Sequence, residues 1–197
     1  MSEVRAALES IVRDADRGRD IVDRVRAHVK KSPLRKDCFD LNGAISEVIE
    51  MVRAAIDKDR VSVSTRLAPD LTPVWGDRVQ LQQVVMNLVL NAVEAMGSVE
   101  QRARMLVVRT EQERDGGILV AVQDSGPGID PERLEQVFKP FYTTKGSGVG
   151  MGLAICRSII DAHGGRLWAE GNQPRGTVFQ FTLPAGLEAQ GVPPRAE

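Results

Sequence analysis

Sixteen residues, Leu81-Gln82-Gln83-Val84-Val85-Met86-Asn87-Leu88-Val89-Leu90-Asn91-Ala92-Val93-Glu94-Ala95-Met96, read as a helix that is apolar on almost every side yet carries two asparagines four residues apart. At 3.6 residues per turn Asn87 and Asn91 share one face. An amide buried without partners costs roughly 1–3 kcal/mol on mutational scales. Something polar must therefore meet that face. It is either a ligand or metal, or a neighbouring loop that hydrogen-bonds to both side chains.

Two glycine-bearing segments downstream favour the ligand. Val120-Ala121-Val122-Gln123-Asp124-Ser125-Gly126-Pro127-Gly128-Ile129-Asp130 is an apolar strand pattern ending in an acid and a tight glycine turn. Thr143-Thr144-Lys145-Gly146-Ser147-Gly148-Val149-Gly150-Met151-Gly152-Leu153-Ala154-Ile155 runs small residues directly into an amphipathic helix. Glycines let a backbone approach a phosphate closely, and a helix N-terminus offers free amides and the positive end of its dipole. A dinucleotide fold would place Gly-x-Gly-x-x-Gly directly after a strand. Here the glycines follow the polar run Tyr142-Thr143-Thr144-Lys145, which argues against that fold.

In order along the chain stand Asn87-Leu88-Val89-Leu90-Asn91-Ala92, Asp124-Ser125-Gly126-Pro127-Gly128, Phe138-Lys139-Pro140-Phe141-Tyr142-Thr143-Thr144-Lys145, Gly148-Val149-Gly150-Met151-Gly152-Leu153 and Gly176-Thr177-Val178-Phe179. This series resembles the catalytic, ATP-binding domain of sensor histidine kinases. That domain belongs to the GHKL (Bergerat) superfamily, shared with type II topoisomerases, a heat-shock chaperone and mismatch-repair ATPases. The resemblance covers most of residues 40–184.

The resemblance implies ATP and Mg2+ as ligands and assigns roles residue by residue. Asp124 matches the carboxylate that accepts the exocyclic amine of adenine, Gly126 and Gly128 leave room for the base, and Ile129 packs beside it. Asn91 matches the residue that holds magnesium through its side-chain oxygen, a hard donor suited to that ion. Asn87 stands where ATP-hydrolysing relatives carry a glutamate that activates water. An amide cannot take a proton, so Asn87 favours phosphoryl transfer to a protein over hydrolysis. Gly148, Gly150 and Gly152 form the lid that wraps the phosphates, with Lys145 or Lys139 supplying charge. Ala95, Leu153 and Thr177 complete the expected nucleotide contacts. Many histidine kinases have a lysine three residues after the magnesium asparagine, whereas Glu94 stands there in this chain. Phe138 and Phe141 are expected to pack at the base of the lid, and Trp75 and Trp168 to fill core or edge positions.

Ahead of this domain, Val4, Leu8, Ile11, Ala15, Gly18, Val22, Val25 and Val29 alternate spacings of four and three, a heptad seam flanked by charged residues. Such a helix buries its stripe either on its own domain or on a partner. The resemblance makes residues 3–31 the second helix of a dimerisation and histidine-phosphotransfer hairpin and implies a homodimer through it. The first hairpin helix, with its acceptor histidine, has no counterpart. His28 precedes Val29 and Lys30 rather than an acidic residue, and His163 is expected to end a helix, favoured by the dipole's negative end. The chain reads as a truncated kinase that binds Mg-ATP and transfers the γ-phosphoryl group to an acceptor helix supplied elsewhere, with a response regulator downstream. Alternatives are an anti-sigma-type protein serine kinase, which would lack the Phe-x-x-Phe segment, and a non-enzymatic nucleotide-sensing dimerisation module.

A net charge of −1 gives no broad basic field, so nucleic acid is not an expected partner. Cys38 and Cys156 show no metal spacing and are expected to be reduced, one of them in a core helix. No apolar run reaches membrane length and Met1–Arg5 is no signal peptide, which leads to an expectation of a cytoplasmic chain. The expected divisions are 1–31 (partial hairpin helix), 32–40 (linker), 41–184 (ATP-binding domain) and 185–197 (loose tail). Within the domain, periodicity predicts a helix over 42–57, strands at 61–67 and 73–76, a hairpin of 105–113 with 117–124 and a short helix opened by Asp130-Pro131. It also predicts a helix to Ala162 and closing strands at 165–170 and 176–183. The expected fold class is α+β, a two-layer α/β sandwich of the GHKL ATPase/kinase type preceded by the long heptad helix.

Overall fold

The computed structural model describes residues 36–97, 99, 102–143 and 149–185. The heptad helix, residues 32–35 of the linker, Lys145, Gly148 and all but the first residue of the expected tail lie outside the described residues. The element order is β1 (Asp37–Phe39), α1 (Leu41–Met51), α2 (Arg53–Lys58), β2 (Val61–Arg66), β3 (Val74–Gly76), α3 (Arg78–Gly97), β4 (Arg104–Gln112), β5 (Ile118–Asp124), α4 (Gly152–Ala162), β6 (Arg166–Gly171) and β7 (Thr177–Leu183). Two short 3-10 turns, Pro131–Arg133 and Gln136–Phe138, lie between β5 and α4.

Five strands form a mixed sheet in the order β2-β4-β5-β7-β6, with only β2 and β4 parallel. Register places Leu106 against Asp124, Val108 against Val122, and Val122 in turn against Phe179, so alternate residues build one apolar face. α3 lies on β4 and β5 and is flanked by α1 and α4, while α4 also covers β6 and β7. Leu81, Leu88, Met96, Leu106, Ile160 and Phe181 are fully buried between the layers. Each side chain of that size contributes roughly 1.5–3 kcal/mol through burial. The fold is the expected α+β sandwich. Among the described residues no helix is long and apolar enough to cross a membrane.

The asparagine helix α3 is secured at both ends. Asp77 Oδ1 accepts from the backbone N–H groups of Val79 and Gln80, both at 3.1 Å, as its place before the apolar run predicts. Past the other end, the Arg104 guanidinium donates to the carbonyls of Gly97 (3.3 Å) and Val99 (2.9 Å), supplying partners where a helix leaves its last carbonyls unpaired.

Several local expectations change. The helix expected over 42–57 is two helices, broken at Val52 (φ −97°, ψ 7°), and the second segment turns toward β2 with Ile56 buried. Apolar periodicity continues across the bend, so it could not mark it. The expected linker contains β1, which pairs antiparallel with β3 through Cys38 and Trp75. A three-residue strand has too little alternation to read alone and is defined by its partner. Lastly, His163 does end α4, but as a buried neutral ring rather than a cation at the helix dipole. Burial is the main force pushing its pKa down, and Nδ1–H donates to the Ile159 carbonyl at 2.8 Å.

Both cysteines are free, Cys38 exposed and Cys156 buried in α4. Phe138 packs edge-on against Phe179, with ring centroids 6.1 Å apart, as expected of a residue at the lid base. Phe141 does not pack: it is 70% exposed and holds a left-handed φ of 66°. Trp75 and Trp168 are half-buried, and the Trp168 indole N–H donates to Glu170 at 2.9 Å.

Candidate nucleotide site

β5 delivers Asp124 to the mouth of the core, 2% exposed. Burial pushes its carboxyl above the ordinary aspartate value, while N–H groups from Gly126 and Thr177 pull it back. Both end on Oδ1, at 2.8 Å from Gly126 and 3.3 Å from Thr177. One carboxylate oxygen is thus anchored to the backbone, which fixes the plane of the other.

The glycines around Asp124 are required by close approach. A methyl group on Gly126 would meet Asp124 Oδ1 at 2.9 Å and the Ala95 backbone at 3.5 Å, so the turn after β5 lies on the last turns of α3. Gly176 has φ +114°, and a methyl there would collide with the Asp124 carbonyl. Gly128, at φ +82°, faces the Gly176 carbonyl, which a methyl would approach to 3.1 Å. The turn before β7 is locked to the turn after β5 by Asn172, whose Nδ2 donates to the Asp124 carbonyl at 2.8 Å while its Oδ1 accepts from Gln123 at 2.9 Å. The Arg175 guanidinium adds a bond to the Pro127 carbonyl at 3.2 Å.

Asn87 and Asn91 are both half-buried on one face of α3, as their spacing requires. Opposite Asn87 stands α4, and its Cys156 Sγ accepts from Asn87 Nδ2 at 3.7 Å. The N-terminus of α4 has no side-chain cap: the capping position is Met151, which accepts no hydrogen bond there through its side chain. Among the described residues no side chain accepts from its first amides, an arrangement that suits an anion. Among the described residues nothing lies within 4 Å of where a methyl on Gly152 would sit, so the backbone there borders open space. Gly150 serves differently. At φ +71° it packs on the backbone of Phe141 and Tyr142, with a methyl reaching the Tyr142 carbonyl at 2.6 Å, which brings the two ends of the glycine-rich segment together.

Of the residues singled out in the sequence, Ala95, Asp124, Gly126, Gly128 and Thr177 form one connected cluster. Asn87 and Asn91 line the neighbouring helix face, while Ile129 and Leu153 pack partly buried against the core. Lys145 and Gly148 lie outside the described residues. Sequence reasoning missed three supporting residues. Asn172 clamps Asp124 from 48 positions away, and no local signal announces it. Cys156 meets Asn87 across 69 positions. Arg157 stacks over the Phe138 ring at 4.2 Å and pairs with Glu135 at 3.3 Å, joining α4 to the segment before the lid. Its spacing on α4 reads simply as a solvated face.

The chain that carries this buried carboxylate, the paired asparagines and the glycine-led helix has known relatives. Residues 76–187 match the family model described as histidine kinase-, DNA gyrase B-, and HSP90-like ATPase. The chain belongs to that family. Within it, the sensor protein FixL of Bradyrhizobium diazoefficiens is 40% identical over 94% of this chain and 36% of its own length. The sensor histidine kinase TmoS of Ectopseudomonas mendocina is 36% identical over 92% of this chain and 19% of its own length. The chain thus spans about a third or less of those two relatives. Among solved structures, the nucleotide-free catalytic domain of histidine kinase ThkA superposes with a TM-score of 0.69 at 38% identity, covering 77% of this chain and 97% of that one. ThkA in complex with response regulator protein TrrA gives a TM-score of 0.73 at 34% identity, over 88% of this chain and 49% of that one. The residues from β3 to β7 are the ATP-binding catalytic part of a sensor histidine kinase.

Proposed function

We propose that this chain binds Mg-ATP between α3, the turn after β5 and the start of α4, and passes the γ-phosphoryl group to a histidine on a hairpin helix of a two-component sensor kinase. The observation that carries the reading is Asp124: a carboxylate 2% exposed, with one oxygen committed to two backbone N–H groups and glycines on every close approach. In this reading the second oxygen accepts the exocyclic amine of adenine. Gly126, Gly128 and Ala95 border the ring, Ile129 and Leu153 pack against it, and Thr177 holds Asp124 in place.

The phosphates run toward the uncapped start of α4, where Gly150 and Gly152 keep the backbone close and the helix amides meet negative charge. Gly148 and Lys145, which lie outside the described residues, are assigned to the phosphates by the resemblance alone. Asn91 fits magnesium, because a Mg2+ ion that keeps phosphate and water oxygens in its shell needs only one or two protein ligands, and a side-chain amide oxygen is a hard donor. Held there, the ion would supply charge neutralisation for the phosphates. Asn87, an amide with no proton affinity near neutral pH, orients groups without activating water, which supports transfer to a protein rather than hydrolysis. With little covalent chemistry for the protein to perform, positioning and electrostatics supply the rate.

Residues 3–31 are read as the second hairpin helix and the dimerisation surface, residues 32–40 as the linker that leads into the domain, and the segment from 185 as a tail, in a cytoplasmic assembly. A response regulator is the expected downstream partner, as ThkA has in TrrA. Incubation with radiolabelled ATP and a separate hairpin peptide that bears an acceptor histidine tests the reading: acid-labile label appears on the peptide. Tight Mg-ATP binding without any transfer would favour a nucleotide-sensing module, and label on a serine would favour the serine-kinase alternative.

A further inference from the structure

We propose that the Cys156 thiol is a positioning residue for phosphoryl transfer, setting which end of the Asn87 amide faces the reacting phosphate. Cys156 lies in α4 with no exposed surface, and its sulfur meets two groups of α3. Nδ2 of Asn87 donates to Sγ at 3.7 Å, and Sγ donates to the Val84 carbonyl at 3.9 Å, both suited to the large radius of sulfur. The two contacts determine each other. Because the single S–H proton is spent on the Val84 carbonyl, sulfur has only lone pairs left for Asn87, and an amide oxygen there would meet another acceptor. With the S–H on Val84, the Asn87 amide turns its NH2 to the sulfur, leaving its oxygen as the other end of the amide. Burial pushes the thiol up to about 12, so it keeps this proton throughout the neutral range.

Nothing in the family roles of Asn87 requires a thiol behind it. A side chain held by one weak bond would otherwise populate both amide orientations, which differ in whether they offer an acceptor or donors to the phosphate and the incoming nucleophile. A small misplacement of a group that acts only by position lowers turnover more than binding. The inference rests on the kinase reading above.

The test compares Cys156→Val, somewhat larger and unable to hydrogen-bond, with Cys156→Ser, which keeps a donor and acceptor. For Cys156→Val the rate of transfer from ATP to the separate hairpin peptide is expected to fall about tenfold at saturating ATP, with the KM for ATP changed by less than about twofold. Cys156→Ser is expected to recover most of the rate. In an Asn87→Ala background Cys156→Val should add no further loss, because the amide it positions is gone. The side-chain amide resonances of Asn87 provide a readout independent of turnover: they are expected to shift and broaden in Cys156→Val and to return in Cys156→Ser. Cys156→Ala replaces the valine variant if the latter unfolds. Unchanged transfer and unchanged Asn87 resonances in the apolar variant overturn the proposal while the kinase reading stands. Absence of transfer by the parent chain brings down the kinase reading and the proposal together.

Discussion

The backbone N–H of Asp77 donates to Nε2 of His163 at 2.9 Å, tying the residue that caps the start of α3 to the residue that follows the end of α4. With Nδ1–H given to the Ile159 carbonyl, the ring is a neutral imidazole that accepts on one side and donates on the other. A methyl on Gly76 would meet the imidazole carbon at 2.8 Å, so the strand before α3 is shaped to admit it. The helix that carries the paired asparagines and the helix that Gly152 opens are thus held in register at this end.

His163→Ala removes an acceptor from a backbone N–H and leaves space in the interior, so unfolding free energy should drop by about 2–4 kcal/mol. The pH dependence has a definite sign. The folded pKa of His163 is pushed down, mainly by burial, so folding favours the neutral ring. That contribution is complete above the ordinary histidine range and is lost as pH falls through it toward the lowered folded value. Thermal unfolding between neutral and mildly acidic pH should show the parent losing stability faster than His163→Ala; parallel curves would mean that the ring does not titrate with folding.

Asp124→Asn should separate stability from binding. The folded carboxyl has a raised pKa, so its contribution to stability is complete below the ordinary aspartate value and is lost as pH rises through the folded value. At neutral pH the neutral amide should therefore fold at least as stably as the parent. Nucleotide affinity should fall by about tenfold or more, since the carboxylate meeting adenine is lost, equivalent to roughly 1–3 kcal/mol. Calorimetric titration beside thermal melts measures both.

Base selectivity follows from the same group. Guanine presents a carbonyl oxygen where adenine presents an amine, setting two acceptors against each other, and ATP should bind at least about tenfold tighter than GTP. The preference should weaken as pH falls and Asp124 takes up its proton, at a higher pH than for an exposed aspartate. Equal affinities for the two nucleotides would remove Asp124 from the adenine role.

Asn91→Ala should weaken magnesium-dependent nucleotide binding, whereas Asn87→Ala should harm turnover at least as much as affinity. Titration of ATP with and without magnesium, beside transfer to a hairpin peptide, distinguishes the two. Parent-like binding and transfer by Asn91→Ala would show the metal assignment to be wrong.

Gly176→Ala forces a side chain into φ +114° and against the Asp124 carbonyl. The change should cost about 1–3 kcal/mol through strain and displacement, and should reduce ATP affinity because Asp124 is moved from behind. Gly152→Ala meets no neighbour within 4 Å among the described residues, so its stability should be near that of the parent and any loss should fall on phosphate binding. Comparing the two by melting and by ATP titration separates a glycine needed for packing from one placed for a ligand.

Much of this molecule is legible in one dimension. The face shared by Asn87 and Asn91, the cap at Asp77, the strand ending at Asp124 and the glycine-led start of α4 follow from short-range rules. Periodicity, capping and backbone sterics act over a few residues and leave their mark in order along the chain. The strand at Asp37–Phe39 and the buried neutral state of His163 escaped that reading, because each is decided by a partner distant in sequence: the facing strand β3 and the N–H of Asp77. The same holds for the clamp of Asn172 on Asp124 and the thiol behind Asn87. The sequence by itself determined which residues could meet a nucleotide and the alternation of layers that carries them. Only the tertiary structure decided how those residues are aimed, because the aiming depends on hydrogen bonds across 48 to 86 positions that no local pattern encodes.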